Sequence, residues 1–327
     1  MKKQVFILAG QSNMSGRGGV SWYHGRYHWD GVVPEECAPC PSILRLSHDL
    51  DWEEARDPLH IDVESKSKTC GVGPGMSFAN NLLKEMGCDS PTLIGLVPCA
   101  VGGTSIEEWK KGSKLYNHMV QRAKAAEEIG DGGEVKAVLW YQGESDTESD
   151  HAAEIYGDHL KKFIEDLRSD LGLPYLPFIQ VALASGSGTQ RNIEKVRKAQ
   201  LGLNLPNLTC VDAMGLTLNP DHLHLTTQAQ VKLGQMLSEA YIKLQPSSTI
   251  LFNRKLTKSQ ETADLSGQIY QDDPMCDFRE IQLTTSTRKG KYFSNNCLLS
   301  LYQNSRCVVS LLMASILLLY SVYCYCC

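Results

Sequence analysis

Four short stretches carry residue types able to do covalent chemistry. The first is Gly10-Gln11-Ser12-Asn13-Met14-Ser15-Gly16-Arg17-Gly18-Gly19, directly after an apolar run. Its glycines suggest a phosphate loop, but no Lys precedes a Ser or Thr, and Met14 occupies the place of the second Gly of a G-x-S-x-G elbow. What remains is Ser12 at a strand-to-helix junction, either a helix N-cap or a nucleophile beside a free backbone N–H. Gly102-Gly103 can bring a backbone N–H close to a developing anion. Gln142 can donate an amide N–H to the same place, with Glu144 orienting its neighbours. Finally, Asp221 stands three residues before His224, a spacing that lets a carboxylate hold imidazole Nδ1–H and leaves Nε2 free as a base. His222 and His224 form an H-x-H, but no third metal ligand accompanies them. Each stretch alone fits a turn or a cap. Together they supply a hydroxyl nucleophile, oxyanion donors and a paired base, the parts needed for acyl-transfer chemistry.

The elements that must position these residues are legible as periodicity. Continuous apolar runs at Val5–Ala9, Leu93–Val97, Val135–Tyr141, Phe178–Ala184 and Leu208–Val211 suit strands covered on both faces. Between them, three- and four-residue apolar steps predict helices. These lie at Asn80–Met86, Tyr116–Ile129, Tyr156–Leu171 and Leu233–Leu244. Strands alternating with helices predict βαβ units and a mainly parallel sheet of about five strands. Ligands of such sheets bind at the carboxyl ends of the strands, where all of these residues fall. Val20–Gly75 has no clear period and reads as one long functional loop.

The blocks GQSNMSGRGG, VPCAVGGTSIEEW, AVLWYQGESD and DHLHLT, with SILRLS and CGVGPGM in the long loop, resemble the SGNH/GDSL hydrolase superfamily. The closer resemblance is to plant carbohydrate esterases of carbohydrate esterase family six, related to the sialate O-acetylesterase domain, over about residues 3–243. It implies a flavodoxin-like three-layer α/β/α sandwich with a five-stranded parallel sheet. It makes Ser12 the nucleophile, His224 the base and Asp221 its orienting partner. The oxyanion hole would be the N–H groups of Ser12 and Gly103 with the Gln142 side chain, the choice between Gly102 and Gly103 being open. Gln11, Asn13, Glu144, Trp22 and Trp109 are candidate substrate contacts, the tryptophans as sugar-stacking rings; Trp29 and Trp52 are weighed likewise. The implied reaction is acetyl-ester hydrolysis through an acyl-enzyme, with no metal or organic cofactor, on an acetylated carbohydrate or small acetyl ester. The alternative is a carbohydrate-binding protein of esterase fold with little turnover.

Composition limits the partners. The 327 residues carry a net charge of −5 and no basic run, which argues against nucleic acid. Met1–Gly10 resembles a leader, but its apolar run is short and no cleavage site follows, so a cytoplasmic location is expected. Free thiols are then expected, and Cys37-x-x-Cys40 lacks the second ligand pair of a zinc site. The chain divides unevenly. Residues 1–245 read as one esterase domain, 246–306 as a polar, disordered linker and 307–327 as an uncharged apolar run. At 1.5 Å per residue that run reaches about 31 Å, a bilayer core. It reads either as a tail anchor, the one route to a membrane, or as translation past the natural end of the gene.

Overall fold

The computed structural model describes residues 2–87 and 92–245. The linker and apolar segment expected over 246–327 lie outside the described residues.

Burial on both faces dictates the central strands. β1 (Lys3–Gly10) is followed by a one-turn helix α1 (Ser12–Ser15) and an antiparallel hairpin, β2 (Val20–Tyr23) with β3 (Arg26–Trp29). Then come β4 (Ile43–Leu46), β5 (Trp52–Glu54), α2 (Pro74–Met86), β6 (Ile94–Pro98) and α3 (Lys114–Glu128). β7 (Gly133–Tyr141), α4 (Asp150–Asp170), β8 (Phe178–Ala182), α5 (Gln190–Gly202), β9 (Leu208–Asp212) and α6 (Thr227–Leu244) complete the domain. The sheet has seven strands in the order β5-β4-β6-β1-β7-β8-β9. Every neighbouring pair is parallel except β4–β5.

The five expected strands are all present, and two more extend the edge. Both come from the aperiodic Val20–Gly75 stretch. At four and three residues they are too short to show alternation, and β5 is largely exposed. A short antiparallel strand at an edge also limits pairing with other chains.

Helices cover both faces. Phe6 packs edge-to-face against Phe78 of α2 and Tyr241 of α6, with centroids 4.9 and 5.0 Å away. On the other face, Trp140 of β7 meets Phe163 of α4 at 4.6 Å, and Tyr116 of α3 lies 6.1 Å from the same phenyl ring. The register Ala9↔Trp140 puts Trp140 on the side of β1 opposite Phe6, because side chains alternate along a strand. Phe6, Trp140, Tyr116 and Tyr241 are all buried, so each aromatic cluster ties a helix layer to the sheet.

α5 escapes the periodicity reading because its inward face is polar: Asn192, Val196, Arg197 and Gln200 are its buried residues. No helix among the described residues is long and apolar enough to cross a membrane. Cys37, Cys40, Cys70, Cys99 and Cys210 are free thiols.

Candidate active site

The site gathers at the carboxyl ends of β1, β6 and β7 and in the loop between β9 and α6. The turn after β1 is sharp. Gly10 sits at φ +127°, and a Cβ there would lie 2.1 Å from the Tyr141 carbonyl oxygen, so only glycine lets β1 end against β7. Gln11 is the N-cap of α1, with no side-chain cap bond, and Ser12 is the first helical residue. Ser12 is therefore not the N-cap. Its hydroxyl is free of capping duty, and its backbone N–H has no partner among the described residues.

Asp221 and His224 are held by their own loop and by the turn after β1. Asp221 Oδ1 accepts the N–H groups of Leu223 and His224, each at 2.9 Å. Its Oδ2 lies 2.6 Å from His224 Nδ1, and His224 Nε2 lies 2.8 Å from Ser12 Oγ. The Asp221 contact assigns the ring proton to Nδ1 and leaves Nε2 as the acceptor facing Ser12. Burial pushes the His224 pKa below its ordinary 6.5, although the Asp221 carboxylate pulls the other way. Burial alone would raise Asp221, but the two backbone N–H groups and the imidazole outweigh it and hold the carboxyl below 3.8.

Asn13 and Glu144 do not contact the pocket space. Both are fully buried. Asn13 Nδ2 donates to Glu144 Oε1 at 2.8 Å and to the Leu223 carbonyl at 3.3 Å, while Asn13 Oδ1 accepts Leu225 N–H at 2.9 Å. These bonds bracket His224 and staple its loop to the Ser12 turn. Their expected role as substrate contacts is corrected to that of a staple. Desolvation raises Glu144 to about 7, which suits a carboxyl walled off from water.

The two glycines differ in their partners. Gly102 N–H is spent on Glu64, with Oε2 at 3.0 Å and Oε1 at 3.2 Å. The Gly102 carbonyl accepts a hydrogen bond from Lys68 Nζ. With both ends of Gly102 occupied, the Gly103 N–H is the one left without a partner among the described residues, at φ +68°. A Cβ on Gly102 would fall 2.7 Å from Arg17 Nη2 and 3.2 Å from Ser12 Cβ, so the loop approaches the Ser12 turn as closely as a bare backbone allows.

Gln142 is corrected. It is fully buried and absent from the pocket wall. Its Nε2 donates to Asp146 Oδ2 at 2.6 Å and to the Thr104 carbonyl at 2.8 Å, which uses both amide hydrogens inside the protein. Gln11, itself buried, lines the pocket instead, with Oε1 accepting Gly143 N–H at 3.2 Å.

Trp109 is corrected as well. It is fully buried, packs against Trp140 at 5.2 Å and donates its indole N–H to Thr104 Oγ1 at 3.1 Å. A ring closed off by core contacts has no face to offer a sugar. Trp22 is 62% exposed on the hairpin. Trp29 and Trp52 are half-buried against the core.

A pocket of about 290 Å³ opens over Ser12 and His224, at the small end of ligand sites. Arg17, Tyr27, Lys68 and Asn219 also line it, and none of them stood out in the sequence. Arg17 pairs with buried Glu64 at 2.6 Å, and Asn219 Nδ2 donates to the Arg17 carbonyl at 3.2 Å. Glu64 and Lys68 come from the aperiodic stretch, whose length was the one hint that it carried function.

A mainly parallel sheet covered by helices, with Ser12, His224 and Asp221 meeting at its carboxyl edge, is the architecture of a carboxylic ester hydrolase of the SGNH type, the class to which its family assigns this chain. The chain belongs to the carbohydrate esterase family described as sialic acid-specific acetylesterases, whose family profile matches residues 2–243. It is an acetyl-ester hydrolase by that membership. A relative in Arabidopsis thaliana, described as a "Probable carbohydrate esterase", is 58% identical over 241 residues, 73% of this chain and 90% of its own. The X-ray structure of that Arabidopsis protein superposes with a TM-score of 0.71 at 57% identity, covering 74% of this chain and 99% of the other. A carbohydrate acetylesterase of Xanthomonas citri shares the fold at 22% identity and a TM-score of 0.51, over 72% of this chain and 55% of its own.

Proposed function

We propose that this protein removes acetyl groups from an acetylated carbohydrate by a two-step serine mechanism. The supporting observation is the unbroken chain from Asp221 Oδ2 through His224 to Ser12 Oγ at the base of the pocket. In the first step His224 Nε2 takes the Ser12 proton as Oγ attacks the acetyl carbonyl. Asp221 stabilises the imidazolium that forms. The tetrahedral oxyanion is bound by the N–H groups of Ser12 and Gly103, a two-donor hole in which Glu64 and Lys68 hold the Gly102–Gly103 peptide in aim. Lys68, by donating to the carbonyl of that same peptide unit, also polarises its N–H as a donor. The sugar hydroxyl leaves with the proton from His224. Water, deprotonated by the same imidazole, then attacks the acetyl-Ser12 ester and releases acetate.

The test is covalent trapping beside an acyl-length series. A fluorophosphonate should label the wild-type protein, and peptide mass analysis should place the adduct on Ser12. Aryl acetate should be hydrolysed well ahead of aryl octanoate. Labelling at another residue, or a preference for the long chain, contradicts the proposal.

The pH profile is a second check. His224 acts as a base only when neutral, and burial favours that neutral form. The acid limb of kcat/KM for acetyl hydrolysis should therefore have its midpoint below the ordinary histidine value of 6.5. A limb at or above that value would mean that another group controls the rate.

A further inference from the structure

The acetyl chemistry leaves one adjoining surface unused. The hairpin of β2 and β3 stands apart from the main sheet. Its register sets Val20 opposite Trp29 and Trp22 opposite Tyr27, so these four side chains share one face. Val20 and Tyr27 on that face also line the pocket over Ser12. Beyond them the face is open: Trp22 is 62% and Tyr27 53% exposed. The two rings meet edge-to-face with centroids 4.8 Å apart, which holds both in place. The base of the hairpin is anchored, with Trp29 packed on the core and Thr69 Oγ1 donating to the Tyr27 carbonyl at 3.1 Å. The aromatic strip is thus fixed and runs without a break from the pocket outward.

Rigid, exposed Trp and Tyr beside a polar pocket suit a ligand with flat apolar faces and a hydroxyl rim. A pyranose ring has both. Strand residues advance about 3.3 Å each, so Val20 to Trp22 spans about 7 Å, room for a further ring outside the pocket. We propose that the Val20–Trp22–Tyr27–Trp29 face is a glycan platform. Trp22 and Tyr27 stack on the sugar adjoining the one whose acetyl ester reaches Ser12. The preferred substrate is then an acetylated oligosaccharide rather than a monosaccharide or small ester. The substrate statement rests on the esterase reading above; the platform itself does not.

The experiment uses the full chain and chemically acetylated β-1,4-linked gluco-oligosaccharides of one to five units. In the wild type, kcat/KM should rise about tenfold from one unit to three and then level off. Trp22→Ala should flatten that rise, and Trp22→Phe should restore most of it. Binding is read separately by tryptophan fluorescence in the Ser12→Ala variant. The three-unit probe should give a saturable change that disappears when Trp22→Ala is added. A length-independent kcat/KM with no fluorescence change overturns the platform. So does concentration-dependent dimerisation that Trp22→Ala abolishes, which would make the strip a contact between copies. If no acetate is released but length-dependent binding persists, the platform stands and the esterase mechanism falls.

Discussion

Replacing Ser12 with alanine is expected to lower kcat for an aryl acetate by about 10⁴–10⁶-fold while leaving the folded state essentially intact. The two effects separate because of what the hydroxyl does in the fold. Its Oγ lies against His224 Nε2, and it caps no helix, since Gln11 occupies the N-cap of α1. Alanine is a good helix former at this position and removes only an atom that faces the pocket. Nearly all of the loss should therefore fall on kcat, with little change in the thermal midpoint. His224→Ala should cost a similar factor. The double variant should be scarcely slower than either single one, because residues that act as a unit are not additive. A Ser12→Ala protein that keeps more than about one per cent of the rate would refute the acyl-enzyme route.

Glu64→Ala should be the most damaging substitution for stability near the site. Glu64 is buried and accepts from Arg17 Nη2 at 2.6 Å, Ser15 Oγ at 3.0 Å and Gly102 N–H at 3.0 Å. Removing it strands a buried guanidinium and a buried N–H. Breaking a buried ion pair from one side typically costs about 3–5 kcal/mol, or roughly 6–20 °C in Tm for a domain of this size. Turnover should fall as well, since Gly102 loses the anchor that aims its neighbour. The pH dependence of stability identifies the cause. Burial would raise the Glu64 pKa, but Arg17 outweighs it and holds the carboxyl below 4.5. The pair's contribution is then fully present above 4.5 and is lost as pH falls through the folded value. Urea midpoints measured across this acid range should drop for the wild type and stay flatter for Glu64→Gln. Equal slopes in the two proteins would show that the Arg17 contact carries no net stability.

Legibility followed the range of the interactions involved. Ser12 and the Asp221–His224 pair could be read because their spacing is local: a turn after an apolar strand, and a carboxylate three residues from an imidazole. The five main strands could be read because burial on both faces writes a continuous apolar run. β4, β5 and the hairpin could not, since three or four residues with mixed exposure carry no measurable period. Trp22 and Trp109 show the limit most plainly. Both are tryptophans near glycine-rich loops, yet one is open on the hairpin and the other is sealed against Trp140 and Thr104.

The sequence by itself determined the class of fold, the turn that presents Ser12 and the local pairing of Asp221 with His224. These rest on hydrophobic periodicity and on contacts within a few residues along the chain. The tertiary structure alone decided the rest. It spent the Gln142 amide on Asp146 and Thr104, and it assigned the Gly102 N–H to Glu64, thirty-eight residues away. It also turned Asn13 and Glu144 inward to hold the His224 loop. A polar side chain has a fixed number of donors and acceptors, and whether one remains for a ligand depends on which distant groups the fold has already brought to it.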